Sequence, residues 1–259
     1  MQIQEQNNII HDTSNKDTNS ASKLQIINSN NRTFLSILII FGVCFVSVIF
    51  VFQIILTPIA IDGISMQPTI NNSYSAYTNN DAQDIVYYLD SNDYQNGDIV
   101  IIDNKLENDT LIKRVIATGG QTITFNVILG TEKYETIKGK SELVSMAMTI
   151  SISDNTGSTL LDENYIKEPM QFEFITELNS SLIGKYTKYQ EMDQALRQNY
   201  TYSVIVPENS FYCLGDNRNA SYDSRCYGTF VASDIKGEVV LHVPHGKSIF
   251  YAIWNKIFG

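Results

Sequence analysis

Leu111-Ile112-Lys113-Arg114-Val115-Ile116-Ala117 is a short, β-branched, apolar run interrupted by two cations. Strand side chains alternate, so Leu111, Lys113, Val115 and Ala117 share one face and Ile112, Arg114 and Ile116 the other. Apolar residues on both faces mark a central strand of a covered sheet. The two cations are then the anomaly, because a buried charge has to be paired or neutralised. A lysine at a sheet edge can instead snorkel its ammonium to water, and the strand taken alone favours that bland alternative.

Outward from this run the chain reads as mainly β. Asp98–Asp103 is a second apolar run. Met146, Met148, Ile150 and Ile152 alternate with small polar residues, Phe172 and Phe174 alternate within Gln171–Thr176, and Tyr202–Val206 is a further strand. Only Lys188–Gln198 among these segments has helical character. Residues 121–201 carry no chemical motif and are expected to form a β insertion beside an antiparallel β core.

The run from Phe34 to Leu56, FLSILIIFGVCFVSVIFVFQIIL, has no charge and a single Gln53. Its length suits a helix crossing a hydrocarbon core ~30 Å thick. A cleavable signal peptide would have a shorter apolar core and a small-residue cleavage site. Thr57-Pro58-Ile59-Ala60 follows instead, so an uncleaved transmembrane anchor is the expectation. Lys16, Lys23 and Arg32 precede the span, and no Lys or Arg follows until Lys105. This asymmetry places the N-terminus in the cytoplasm and residues 57–259 outside. Residues 1–33, rich in Asn, Ser and Gln, are expected to be a disordered cytoplasmic tail.

The formal charge of −10 and pI near 4.7 argue against a nucleic-acid partner, which needs a basic face. No His, Cys and Asp cluster stands at ligand spacing, so neither a metal nor a cofactor is expected. Three cysteines make a disulfide scaffold improbable. Cys213 and Cys226 would be able to pair in an oxidising compartment, though two buried thiols are the simpler reading.

Two further blocks carry polar chemistry. Gly63-Ile64-Ser65-Met66-Gln67-Pro68-Thr69 sets a serine just beyond the span, between a glycine and a proline. Gly215-Asp216-Asn217-Arg218-Asn219-Ala220-Ser221-Tyr222-Asp223-Ser224-Arg225 is by itself a turn laced with ion pairs, or part of a site. A serine is a poor nucleophile until a base takes its proton. His242 and His245 are candidate bases without an obvious acidic partner. Lys113 is the other candidate, provided burial removes its charge. At the ordinary pKa of ~10.4 only about 0.04% would be neutral at pH 7, a barrier penalty of ~4.6 kcal/mol. The Ser-x-x-Lys spacing of penicillin-recognising enzymes is not met here, since Pro68 stands three residues after Ser65.

These three blocks, in this order behind an anchor, resemble bacterial type I signal peptidases over most of residues 34–243. The resemblance implies a membrane-bound serine endopeptidase that removes signal peptides from exported preproteins, cutting after small residues. It implies Ser65 as nucleophile and Lys113 as general base, with Ser221 hydrogen-bonded to the lysine. Asp216 is expected against Arg114 and Asp223 against Arg225. The oxyanion is expected on the Ser65 N–H, and the helping hydroxyl of some members is replaced by Gly63. Met66 and Ile112, neighbours of the pair in sequence, are the expected substrate-binding residues. Gly97-Asp98-Ile99-Val100 and Leu161–Ile166 match weaker segments of the family. The chain departs from the pattern after Ile116, where Ala117, Gly119-Gly120 and Gln121 replace a Gly, a Pro-Gly turn and an acidic residue. A rival from another class is an anchored, non-cleaving β domain that binds preproteins. Finally, Phe250, Tyr251, Ile253, Trp254, Ile257 and Phe258 recur at near-helical spacing. They are expected either to pack on the β core or, less simply, to lie at a membrane interface.

Overall fold

Period-two patterning in the sequence becomes two antiparallel sheets. The computed structural model describes residues 31–50, 54–74, 83–91, 93–182 and 184–259. In chain order the first strands are β1 (Thr57–Ala60), β2 (Ile85–Leu89), β3 (Ile99–Asn104) and β4 (Asp109–Thr118). Then come β5 (Thr122–Val127), β6 (Lys133–Ile137), β7 (Lys140–Asp154), β8 (Gly157–Leu160), β9 (Gln171–Glu173) and β10 (Thr201–Ile205). β11 (Ser210–Leu214), β12 (Phe230–Val231) and β13 (Ile235–Val243) complete them.

The first sheet has the order β1-β2-β13-β3-β4-β11-β12. β4 is therefore an interior strand, and every neighbour runs antiparallel to it. The second sheet has the order β10-β5-β7-β6, with β8 and β9 also on β7. Its strands span Thr122–Ile205, past the boundary expected at residue 201. The long β7 serves four partners because Met146, Met148 and Ile150 are buried along it while its ends are polar.

The main core lies where the sheets meet. Ile116 and Ala117 of β4 and Tyr212 of β11 pack with Phe125, Met146, Ile150, Phe172 and Phe174. Helix Thr187–Asn199 covers this cluster with Met192 and Leu196, one turn apart on a single face. Phe174 stays buried although β9 ends at Glu173, because its N–H continues the pairing to Val144 C=O. At the turn where the resemblance called for an acid, the Gln121 amide oxygen accepts from the Thr118 N–H at 2.9 Å.

The apolar span is a separate unit, residues 1–55 against 56–259. Its helix runs Asn31–Phe50 and is long and apolar enough to cross a membrane. It begins upstream of the expected Phe34, so Asn31, Arg32 and Thr33 are helical rather than part of a disordered tail. The remainder of that tail, residues 1–30, lies outside the described residues.

We number the helices α1 (Asn31–Phe50), α2 (Thr187–Asn199), α3 (Ser224–Tyr227) and α4 (Ile249–Phe258). Ser248 caps α4 by accepting from the Tyr251 N–H. Ile249, Ala252 and Ile253 pack on Leu241 and Val243 of β13 and on Tyr87 of β2. The opposite stripe is uncovered: Phe250, Trp254, Ile257 and Phe258 are each more than 60% exposed. One side of the helix thus packs on the core, as the simpler expectation has it, and the other presents an apolar face.

Candidate active site

Ser65 stands on a loop between β1 and β2 whose shape is held from three directions. Gly63 has φ +93°, a left-handed conformation that strains any residue bearing a Cβ. The Asn71 amide donates to Ile61 C=O at 2.6 Å and to Gly63 C=O at 3.0 Å. Asn71 also exchanges bonds with Asp84: the Asn71 N–H reaches Asp84 Oδ2 at 2.6 Å and the Asp84 N–H reaches Asn71 Oδ1 at 2.7 Å. Met66 and Ile70 root the loop in a cluster with Ile61, Val86, Ile101 and Ile112. From the other side, the turn after β11 clamps it. The Asn217 N–H donates to Ser65 C=O at 3.0 Å and the Asn217 amide to Ile64 C=O at 3.1 Å. Gly215 permits that approach, since a Cβ there would lie 2.5 Å from the Ser65 carbonyl oxygen and 2.3 Å from Ser221 Oγ.

Lys113 comes to the same place from β4. Its side chain is 2% exposed, and Nζ donates to Ser65 Oγ at 2.9 Å and to Ile112 C=O at 3.0 Å. Burial is the largest influence on its pKa and pushes it down from the ordinary 10.5 to about 8. The Asp223 carboxylate opposes this shift, while the Arg225 guanidinium assists it.

Two buried ion pairs frame the serine and the lysine. Arg114, on the other face of β4, forms a fork on Asp216 with bonds of 2.8 and 2.6 Å. Thr69 Oγ1 donates to the same carboxylate at 2.6 Å, which joins this pair to the Ser65 loop. Arg225 forks onto Asp223 at 2.8 and 2.7 Å. Burial disfavours the charge of Asp223, yet Arg225, the Gly215 N–H and Lys113 outweigh it and hold the carboxyl below its ordinary value. Arg218 is likewise buried, donating to Glu163 at 2.7 Å and to Tyr165 Oη at 2.9 Å. The Arg114 guanidinium lies 4.3 Å from the centre of the Tyr165 ring.

Several expectations need correction. Ser221 Oγ is buried without a hydrogen-bond partner among the described residues, so it does not bond Lys113. The lysine instead spends its bonds on Ser65 and its own strand's carbonyl. Met66 is 1% exposed within the core and does not line the groove beside Ser65, whereas Ile112 does. His242 does have an acidic partner: Nε2 lies 2.6 Å from Asp84 Oδ2. That carboxylate also accepts from the His245 N–H at 2.8 Å, and the whole group braces the loop. Cys213 and Cys226 are buried free thiols. Among the described residues no group of His, Cys, Asp and Glu is arranged to hold a metal.

Asn217, Thr69, Asn71 and Asp84 were not singled out from sequence. Asn217 lay inside a conspicuous block, but nothing in the sequence tells which of its side chains reach the Ser65 loop.

Beside the serine runs an open groove of about 430 Å³, bounded by Ile59–Gly63, Ile101 and Asp109–Lys113. Strand β11 pairs β4 only from Arg114 onward, so among the described residues Asp109–Lys113 has no strand on that side.

A serine hydroxyl held on an amine that burial brings within reach of neutrality has the geometry of a nucleophile and its base. The sequence pattern of the signal peptidase family, peptidase S26, matches residues 31–243, and the chain belongs to that family. It is similar to signal peptidase I of Streptococcus pneumoniae serotype 4, 27% identical over 193 residues that cover 70% of this chain and 78% of that one. It is also similar to signal peptidase IB of Staphylococcus aureus strain COL, 27% identical over 213 residues, 80% of this chain and 88% of that one. The crystal structure of a signal peptidase I from Enterococcus faecalis V583 aligns at 20% identity over 57% of this chain and 97% of that chain. Its TM-score of 0.31 is too low to bear on the fold.

Proposed function

We propose that this protein is a membrane-anchored serine endopeptidase that removes N-terminal signal peptides from exported preproteins, cutting after small residues. Ser65 attacks the scissile carbonyl and Lys113 takes its proton. The observation that carries the reading is the 2.9 Å contact between Lys113 Nζ and Ser65 Oγ, made by a lysine that is 2% exposed. With a pKa of about 8, roughly a tenth of the lysine is neutral at pH 7. The barrier penalty is then ~1.4 kcal/mol, against ~4.6 kcal/mol for an ordinary lysine.

The Ser65 N–H has no acceptor among the described residues and is available to the developing oxyanion. The strandless side of Asp109–Lys113 suits an extended peptide, whose backbone would pair with it while small side chains enter the groove. Arg114–Asp216 and Asp223–Arg225 position the loop and the lysine through the bonds described above. The basic residues before the span place the N-terminus in the cytoplasm and the peptidase domain outside.

Incubating the full chain, reconstituted in vesicles, with a preprotein and locating the cut by mass spectrometry tests this reading. Cleavage at a signal-peptide boundary is expected, and Ser65→Ala should lower its rate by on the order of a thousandfold or more. Binding without cleavage by the unmodified protein would point instead to an anchored preprotein-binding domain.

A further inference from the structure

Helix α4 is apolar on two opposite stripes. Ile249, Ala252 and Ile253 face the sheet, and Phe250, Trp254, Ile257 and Phe258 form an outer stripe at spacings of i, i+4, i+7 and i+8. A helix apolar all round is stable only where both sides meet an apolar medium, and β13 supplies one. The Trp254 and Phe258 rings lie 4.6 Å apart and make the outer stripe continuous.

Three observations identify what covers the other side. First, the chain enters the first sheet at β1, directly after the apolar span, and the order β1-β2-β13 sets the strand beneath α4 two places away. At strand spacings of about 4.8 Å this is roughly 10 Å from the tether strand. Second, none of the 28 acidic residues of this acidic chain follows Glu238, whereas Lys247 stands just before the helix. Third, the exposed stripe holds Trp and Phe, and tryptophan favours the boundary between headgroups and acyl chains.

We propose that α4 is a second membrane contact: its outer stripe lies in the interface of the bilayer that α1 crosses, with Lys247 near the headgroups. The helix is too short to span that bilayer. Its inner side borders a groove shared with Thr69 and Ile70 of the Ser65 loop and with β13. Docking α4 therefore sets how high the serine stands above the lipid, where the junction between a membrane-held signal peptide and its mature chain emerges. This functional consequence rests on the signal-peptide reading, but the lipid contact does not.

Trp254 is the only tryptophan and reports the contact directly. The full chain is reconstituted in phosphatidylcholine/phosphatidylglycerol vesicles with plain or brominated acyl chains. Blue-shifted Trp254 emission that the brominated lipid quenches is expected, and Phe250→Glu/Ile257→Glu should abolish the quenching. The same variant should cut a membrane-borne preprotein about tenfold more slowly while cleaving a short soluble substrate peptide at the unmodified rate. Unquenched emission typical of a water-exposed indole overturns the proposal. So does blue-shifted, unquenched emission from a dimer, because a second copy would then cover the stripe. Equal rates for variant and unmodified protein on both substrates, with quenching absent, overturn it as well. If the unmodified protein cuts neither substrate, the signal-peptide reading fails while the quenching result still decides the position of α4.

Discussion

Two properties of Lys113 follow from its burial, one kinetic and one thermodynamic. In the proposed mechanism Lys113 is the general base and active only when neutral, so the rate should climb with pH along a limb whose midpoint lies near 8. Lys113→Met should abolish cleavage, and Lys113→Arg should fail as well, because guanidinium does not lose its proton at these pH values. Folding also depends on this group. Its folded pKa of about 8 lies below the ordinary 10.5, so between these values the unfolded chain binds more protons. Stability therefore rises with pH across that window, and the penalty of burying the charge is fully present below it. Thermal melts of the unmodified protein and Lys113→Met should consequently converge as pH rises from about 8 to 10.5. A limb centred near 10.5, or a Lys113→Met protein that still cleaves, would remove the lysine from the mechanism.

The loop between β1 and β2 owes its shape to polar contacts across elements. Asp84, just before β2, bonds Asn71 of the loop, His242 of β13 and the His245 N–H beyond it. Burial raises its pKa, but the bonds from His242, His245 and Asn71 outweigh this and hold it below the ordinary 3.8. Its contribution to stability is complete above that value and is lost as pH falls through the depressed one. Asp84→Ala leaves the Asn71 N–H, the His245 N–H and the imidazole without their acceptor, at a cost of about 1–3 kcal/mol. A lower Tm at neutral pH and slower cleavage are expected. His242→Ala removes one bond of the group, should cost about 1 kcal/mol, and should keep nearly all activity, since in the proposed mechanism Lys113 and not the imidazole takes the Ser65 proton. If His242→Ala is catalytically dead but folded, a Ser-His arrangement has to replace the Ser-Lys one.

At the scale of the whole molecule the proposed function requires that the groove and a membrane-held substrate meet on one side of the bilayer. In the proposed topology that side is the outer one, because basic residues precede α1 and none follows it up to Lys105. Protease added to intact right-side-out spheroplasts should digest residues 57–259. Complete protection there, with digestion only in inverted vesicles, would place the groove on the cytoplasmic face and rule out the proposed role.

What the chain discloses by itself is whatever depends on order and period. The apolar span needs only length and composition to be recognised. The alternation in Leu111–Ala117 and Met146–Ile152 is local, because a strand's two faces are set by its own residues. The polar blocks around Ser65 and Asp216 stand out by residue type. Tertiary structure decided everything that joins segments distant along the chain. Asn217 reaches Ile64, Thr69 reaches Asp216 and His242 reaches Asp84 only after the sheets have paired. For this reason Asp84 carries no signal in sequence, and the acidic partner of His242 is not evident there. Met66 differs from its expectation for a related cause: adjacency to Ser65 along the chain says nothing of direction, and the loop turns Met66 into the core. Lys113 shows the division most plainly. Its strand is legible from seven residues, but whether its ammonium snorkels or is buried depends on the loop from β1 and the turn after β11 closing over it. A lysine's charge state is set by the solvent its neighbours exclude, and those neighbours belong to other segments.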